Sequence, residues 1–204
     1  MAAYHGAVLP FNNLILRELS VDSVSRLQLS KVDLEVGHQL ENTGDEITNL
    51  YFIEAGLGSM TSTFHDGHEV EVNLFGCESV IGVSAFMGTK RSLNRTYMQA
   101  SGYGFKSSLH VAEREYRRYE TFHEFCLRYV QTQLLQAAQN AACNATHEVE
   151  QRLARWLLLA RDRLRTEQVP LSHEYLSHML GSRRATVTMA AGELQRRGLI
   201  QLWR

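Results

Sequence analysis

The period of the apolar positions changes once along the chain. Between residues 29 and 109, apolar side chains recur in short runs at every second position, and glycines interrupt them about every 8–12 residues. The runs at 29–34, 49–54, 58–64, 69–74, 97–100 and 105–109 predict strands. Between two of them, His65-Asp66-Gly67-His68 carries Asp-Gly, the strongest short hairpin signal. Pro10 and Pro170 are the only prolines, so Gly and Asn/Asp supply most turns. Evenly spaced strands with glycine turns predict an antiparallel jelly roll or sandwich. Residues 12–27, ahead of the strands, read as a short, interrupted helical lead-in.

After about Val111 the period becomes helical. Residues 119–145 contain neither Gly nor Pro, and Phe122, Cys126, Tyr129, Gln133 and Gln136 recur at spacings of three to four. A second stripe runs through Leu127, Val130, Leu134, Ala138 and Ala141. A small sheet cannot cover both faces of one long helix. The expectation is that one face packs on its own domain and the other on the same helix of a second subunit. Ala137, Ala138, Ala141 and Ala142 would permit close approach. The dimer-helix residues read this way are Phe122, Cys126, Tyr129, Gln133, Gln136, Ala137 and Ala141. A helical core within one chain is the alternative. Residues 147–165 form a further helix with Leu153, Trp156, Leu157 and Ala160 on one face, and Pro170 ends the loop that follows.

Residues 171–200 carry the most specific pattern. Ser172 suits the N-cap of a short helix over 173–180. Gly181 suits the left-handed residue that ends it. A second helix spans 183–196. Leu176, Leu180, Val187, Ala190 and Leu194 would form a small core between the two, a helix-turn-helix. Gly198-Leu199-Ile200 would then start a strand, as in a winged version. The second helix would present Ser182, Arg183, Arg184, Ala185, Thr186 and Thr188 away from that core. Arg reads guanine O6/N7 in two places, and Thr bonds a base edge or touches a thymine methyl. Hydroxyls and helix N-termini hold phosphates and set register. The candidate DNA-binding set is therefore Ser172, His173, Ser182, Arg183, Arg184, Thr186 and Thr188. A solvated Arg-Arg pair is the plainer alternative.

Composition sharpens this picture. The chain has 204 residues, room for one large domain or two small ones, with 44% hydrophobic and 21% charged positions. Its formal net charge of −1 hides a split. Residues 1–144 hold 11 Lys/Arg against 16 Asp/Glu, a net of −5, whereas residues 145–204 hold 10 Arg against 6 Asp/Glu, a net of +4. The near-zero total is thus an acidic module joined to a basic one. The best apolar run is residues 156–160, far short of the ~18 needed to span a bilayer. The N-terminus lacks a basic stretch followed by an apolar core, which points to the cytoplasm. Cys77, Cys126 and Cys143 are odd in number and far apart, as suits a reducing compartment.

The run Leu180-Gly181-Ser182-Arg183-Arg184-Ala185-Thr186-Val187-Thr188, with Gly198-Leu199-Ile200, resembles the helix-turn-helix of Crp/Fnr-type bacterial transcription regulators. Residues 152–158 resemble the helix that precedes it in that family. The resemblance implies an α+β chain in three parts. Residues 1–118 would be a cyclic-nucleotide-binding-like jelly roll, 119–145 a dimerisation helix, and 146–204 a winged helix-turn-helix. It further implies a homodimer on double-stranded operator DNA, controlled allosterically, with RNA polymerase as a further partner of an activator. The chain stops where the family's wing hairpin would begin, so a truncated or missing wing is expected.

The chain departs from the family's usual pattern in both parts. In the recognition helix, Arg184, Thr186 and Val187 match, while Ala185 replaces a Glu and Met189 an Arg. Ala cannot accept from cytosine N4, so the half-site should differ, with Arg183 supplying the missing charge. In the sensor, the residues corresponding to the effector pocket are Gly76, Glu78, Ser79 and Gly82, with Arg91 or Arg95 placed to meet a phosphate. Val83 stands where cyclic-AMP binders carry a ribose-binding Glu, neither arginine is in register, and Ala137 and Ala138 replace adenine-contacting hydroxyls. These losses argue against cyclic AMP and for a differently shaped small molecule or none. Three distant thiols argue against an iron–sulfur cluster. His38, His65, His68, His110 and His123 read as turn or surface histidines rather than haem ligands. No metal site, paired carboxylates or Ser-His-Asp order points to catalysis. Two other readings stay open. One is a sensor or partner-binding protein with a degenerate helix-turn-helix. The other is a cupin-like enzyme using His65, His68 and Glu69, which leaves the last 60 residues unexplained.

Overall fold

The structure, a computed structural model, describes residues 9–65, 67 and 69–203. The chain opens with α1 (Leu14–Glu18) and α2 (Val21–Arg26), the two pieces of the expected lead-in. Asn13 fixes the first. Its Oδ1 accepts from the backbone N–H of Ile15 and Leu16, and its Nδ2 donates to the carbonyls of Ile53 and Ser79. The strands are β1 (Ser30–Leu34), β2 (Gln39–Glu41), β3 (Asn49–Thr63), β4 (Glu69–Phe75), β5 (Val80–Ile81) and β6 (Arg95–Ser108), with a 3₁₀ turn at Val83–Met87. The helices α3 (Leu109–Tyr116), α4 (Thr121–Thr146), α5 (Val149–Leu164), α6 (His173–Met179) and α7 (Arg184–Arg196) follow. The strands form one antiparallel jelly-roll sheet in the order β1-β6-β3-β4, with β2 on β6 and β5 on β3.

Two pairs of expected short strands are fused. The runs at 49–54 and 58–64 belong to the single strand β3, and those at 97–100 and 105–109 to β6. The glycines between them are bulge and close-approach positions rather than turns. The register between β3 and β6 shifts at Ile53/Ala55, Ala55/Leu57 and Leu57/Gly58. Gly102 lies so close to β3 that a Cβ there would stand 1.8 Å from the Ala55 carbonyl oxygen. Gly102→Ala is therefore expected to cost about 2 kcal/mol or more, because backbone and not a flexible side chain must move. Chemical denaturation of the purified variant measures it.

Three buried clusters hold the molecule together. One lies inside the roll, around Leu34, Ile53, Phe75 and Met98. A second joins α1, α2, α3 and α4 to the sheet through Leu16, Leu27, Phe52 and Phe122. The third is shared: Leu57, Leu74 and Ala100 of the sheet pack with Leu153, Trp156, Leu176, Val187 and Leu194 of α5, α6 and α7.

The structure separates the dimer-helix candidates on α4. Phe122, Cys126 and Tyr129 are buried in the protein's own core, so they are not available to a second subunit. Gln133 is held by Asn73, and Gln136 accepts from Arg163. Ala137 and Ala141 remain exposed, on the same side as Leu127 and Leu134. The strand expected from Gly198 does not form: residues 198–203 are irregular. No described helix is long and apolar enough to cross a membrane.

Candidate functional site

The C-terminal helix pair is built as its sequence dictates. The Ser172 hydroxyl accepts from the Tyr175 N–H and starts α6. Gly181, at φ +55°, turns the chain toward α7. Leu176, Leu180, Val187, Ala190 and Leu194 are buried as expected, joined by Met179 and Ala191. That packing leaves Arg183, Arg184, Ala185 and Thr188 exposed along one edge, with Ser182 and Thr186 half-buried. No side chain caps the N-terminus of α7 and its first turn holds no acid, an arrangement open to phosphate. The Arg184 guanidinium lies 3.7 Å from Glu174, both well exposed, which is a weak pair. His173 Nδ1 and the Thr188 hydroxyl are 3.2 Å apart and brace the start of α6 against α7. Of the seven DNA-binding candidates, Ser172, Arg183, Arg184 and Thr188 are thus exposed, and His173, Ser182 and Thr186 half-buried.

The other side of this unit is docked on the roll, a contact with no local sequence signal. Glu71 of β4 is at its centre. Its carboxyl accepts from Ser59 Oγ at 2.6 Å, Gln99 Nε2 at 2.8 Å and Trp156 Nε1 at 2.6 Å. Burial pushes this carboxyl up to about 7, with the three donors and Arg163 resisting the shift. The Met179 sulfur sits against Ser59 and Gln99, and the Tyr97 and Tyr175 hydroxyls meet at 3.2 Å. Arg163 spans the junction, pairing with Glu78 at 2.8 Å and donating to the Leu74 carbonyl and to Gln136 of α4. Arg155 likewise donates to Asn140 of α4, which donates in turn to the Val72 carbonyl.

A cavity of about 340 Å³ lies between the roll and α4. Phe75, Ile81, Val83, Val130 and Leu134 supply much of its wall, and Glu41, Asn73 and Gln133 its main polar groups. Of the six expected effector residues only Gly82 lines it. Gly76 abuts Arg163, and Glu78 is paired with that arginine. Ser79 accepts from the Gly76 N–H. Arg91 donates to the Gly44 carbonyl, while Arg95 pairs with Glu69 and lies over the Tyr97 ring. The arginines are thus spent on a backbone carbonyl and a carboxylate, and neither lines the cavity. Burial pushes the Cys77 thiol up and leaves it unreactive. Among the described residues no three His, Cys, Asp or Glu side chains group to hold a metal. Asp66 of the expected hairpin and His68 of the cupin reading lie outside the described residues.

Residues 151–204 match the family model of the Crp-like helix-turn-helix domain. The chain is 24% identical over 170 residues to the global nitrogen regulator of Synechocystis sp., covering 78% of this chain and 75% of that protein. Its fold is similar to that of FixK2 from Bradyrhizobium japonicum, with a TM-score of 0.76 at 13% identity over 86% of this chain and 89% of the other. It is also similar to the c-di-GMP-responsive global regulator CLP of Xanthomonas campestris, with a TM-score of 0.71 at 16% identity over 91% of this chain and 96% of the other.

Proposed function

We infer that this Crp/Fnr-type transcription regulator binds operator DNA as a homodimer, and that a small molecule in the cavity beside α4 governs the binding. The observation that carries this reading is the position of α4, which touches all three parts at once. Tyr129 and Gln133 form cavity wall. Gln136 and Asn140 hold Arg163 and Arg155 of α5, and through them the helix-turn-helix. Leu127 and Leu134, 43% and 68% exposed, offer an apolar stripe with Ala137 and Ala141 beside it. Leu134 and Ala137 belong both to that stripe and to the cavity wall. A ligand that moves α4 therefore changes the spacing of two recognition edges, and an operator with two half-sites reads that spacing as affinity.

The dimer places the two α7 edges in successive major grooves, with half-sites about one helical turn apart. Arg183, Arg184, Thr186 and Thr188 face the bases, and Ser172, His173 and Ser182 the flanking phosphates. Leu134→Asp puts a charge on the stripe, and it is expected to give a monomer in sedimentation at micromolar protein. The same variant loses at least tenfold in affinity for a two-fold symmetric site selected from genomic fragments, since both half-sites must be held at once. A Leu134→Asp protein that stays dimeric and binds as the parent does would rule out this interface.

A further inference from the structure

The chemistry of the cavity restricts what it can hold, and this deepens the reading of it as an effector site. Among the described residues that line it there is no Lys, Arg or His. The two arginines of the expected effector set are engaged elsewhere: Arg91 on the Gly44 carbonyl, Arg95 on Glu69. The one ionisable carboxyl in the wall is Glu41, from β2. A phosphate or carboxylate ligand would give up its hydration, meet no cation and face a like charge, a combination that costs several kcal/mol even after relaxation.

Glu41 itself is incomplete. Its Oε2 accepts from the Thr96 hydroxyl at 3.2 Å, but Oε1 is buried without a hydrogen-bond partner. The Ser92 hydroxyl close by donates to the Asn94 carbonyl. Burial pushes the Glu41 carboxyl up, held back in part by Thr96 and Ser92, as expected of an acid with little else to balance it. Of the other polar wall groups, the Tyr129 hydroxyl is likewise buried without a hydrogen-bond partner, whereas Asn73 is satisfied. The Asn73 amide donates to Gln133 and its Oδ1 accepts from the Leu74 N–H. Glu41 lines an otherwise apolar chamber, and its acceptor without a donor is the group that a ligand N–H or O–H would satisfy. The volume of about 340 Å³ sits near the lower end of the roughly 300–1,000 Å³ typical of small-molecule sites.

The geometry points to an effector with a compact apolar body, no negative charge, and a hydrogen-bond donor that meets Glu41 Oε1. Its body lies among Phe75, Ile81, Val83 and Leu134, its donor at the β2 end. Cyclic nucleotides fail on both counts, being anionic and largely polar.

The test uses the full chain and 1-aminoanthracene, an uncharged, apolar fluorophore with an N–H donor. Its emission should rise saturably on binding. Competitors of one size are then compared: 1-naphthol, which has a donor; naphthalene, which has none; and 1-naphthoate, an anion, together with cyclic AMP. The expected order is 1-naphthol ahead of naphthalene by roughly tenfold, with no displacement by 1-naphthoate or cyclic AMP. Glu41→Leu should erase the preference for 1-naphthol over naphthalene while leaving naphthalene binding intact. Ser84→Trp, which fills the cavity from its half-buried rim, should abolish saturable binding with an unchanged melting curve. Displacement by 1-naphthoate or cyclic AMP at the strength of 1-naphthol overturns the ligand class, as does a preference unchanged in Glu41→Leu. A separate arm measures operator affinity with and without saturating 1-aminoanthracene. Probe binding in the expected order with operator affinity unmoved overturns the regulatory reading and leaves the ligand class standing.

Discussion

Replacing Arg183 and Arg184 together by Ala is expected to lower operator affinity by about 100- to 1,000-fold at fixed salt, without loosening the fold. Each side chain that makes a bidentate contact to a guanine edge is worth roughly 1–3 kcal/mol, and the two sit one after the other at the exposed start of α7. Neither is part of the core. The one ion pair of Arg184 joins two groups nearly 70% exposed, and such pairs contribute little. Thermal melting of the double variant should thus match the parent to within about 0.5 kcal/mol. The single variants separate the roles. Loss of a base-reading arginine relaxes preference at one base pair, whereas loss of a phosphate contact weakens all sequences alike and reduces the salt slope by about 1. Ala185 sits at the same edge and cannot accept from cytosine, so Ala185→Glu should shift the selected half-site toward a cytosine-bearing one. If the double variant retains parental affinity in an anisotropy titration, α7 does not read DNA through this edge.

The second large effect belongs to Glu71. Glu71→Ala removes the common acceptor of Ser59, Gln99 and Trp156 and leaves three donors to be satisfied across a packed junction. The cost should be about 3 kcal/mol, or roughly 6–12 °C in Tm for a chain of this size. The pH dependence is the more specific signature. Folded Glu71 keeps its proton up to about pH 7, whereas a solvated Glu holds it only to about 4.5. A raised folded pKa means that folding takes up a proton between those values. The stability from Glu71 is complete below about pH 4.5 and is lost as pH rises through about 7. Glu71→Gln keeps an acceptor but cannot ionise. Between pH 5 and 8.5 the Tm of the parent should fall relative to that of Glu71→Gln, and parallel curves would sink the assignment. Because Trp156 belongs to α5, the same proton bears on how firmly the helix-turn-helix unit sits on the roll.

How far each feature could be read in advance depends on the distance over which it is encoded. The helix pair at the C-terminus was fully legible. Ser172, Gly181 and the spacing of Leu176, Leu180, Val187, Ala190 and Leu194 all act within two turns of helix, and the structure places each as expected. The glycines of the roll are only partly legible. In one dimension a Gly between two apolar runs signals a turn, and only the approach of β6 to Ala55 shows that Gly102 is required for close packing. On α4 both stripes were visible, but not which of them faces inward. The roll settles this by accepting the bulky Phe122, Cys126 and Tyr129 and leaving Leu127, Leu134 and the alanines outside.

The two groups on which the chemistry turns carry no local signal. Glu71 alternates along β4 in a position that reads as a solvent face, and becomes enclosed because Trp156, far along the chain, closes over it. Glu41 lies in a three-residue strand too short for any periodic signal. Of the six expected effector residues, Gly76 and Glu78 instead sit against Arg163 at the junction with α5, and only Gly82 lines the cavity.

The sequence by itself thus determined the order of elements, the change from a period of two to a helical one, the acidic and basic parts, and the exposed arginine edge of α7. Each of these follows from neighbouring residues obeying backbone geometry and turn chemistry. Only the tertiary structure decided which face of α4 is free, which acid keeps an oxygen without a donor and which arginines are spent. Burial and pairing are properties of segments that meet in space, and no spacing along the chain encodes how much water remains between them.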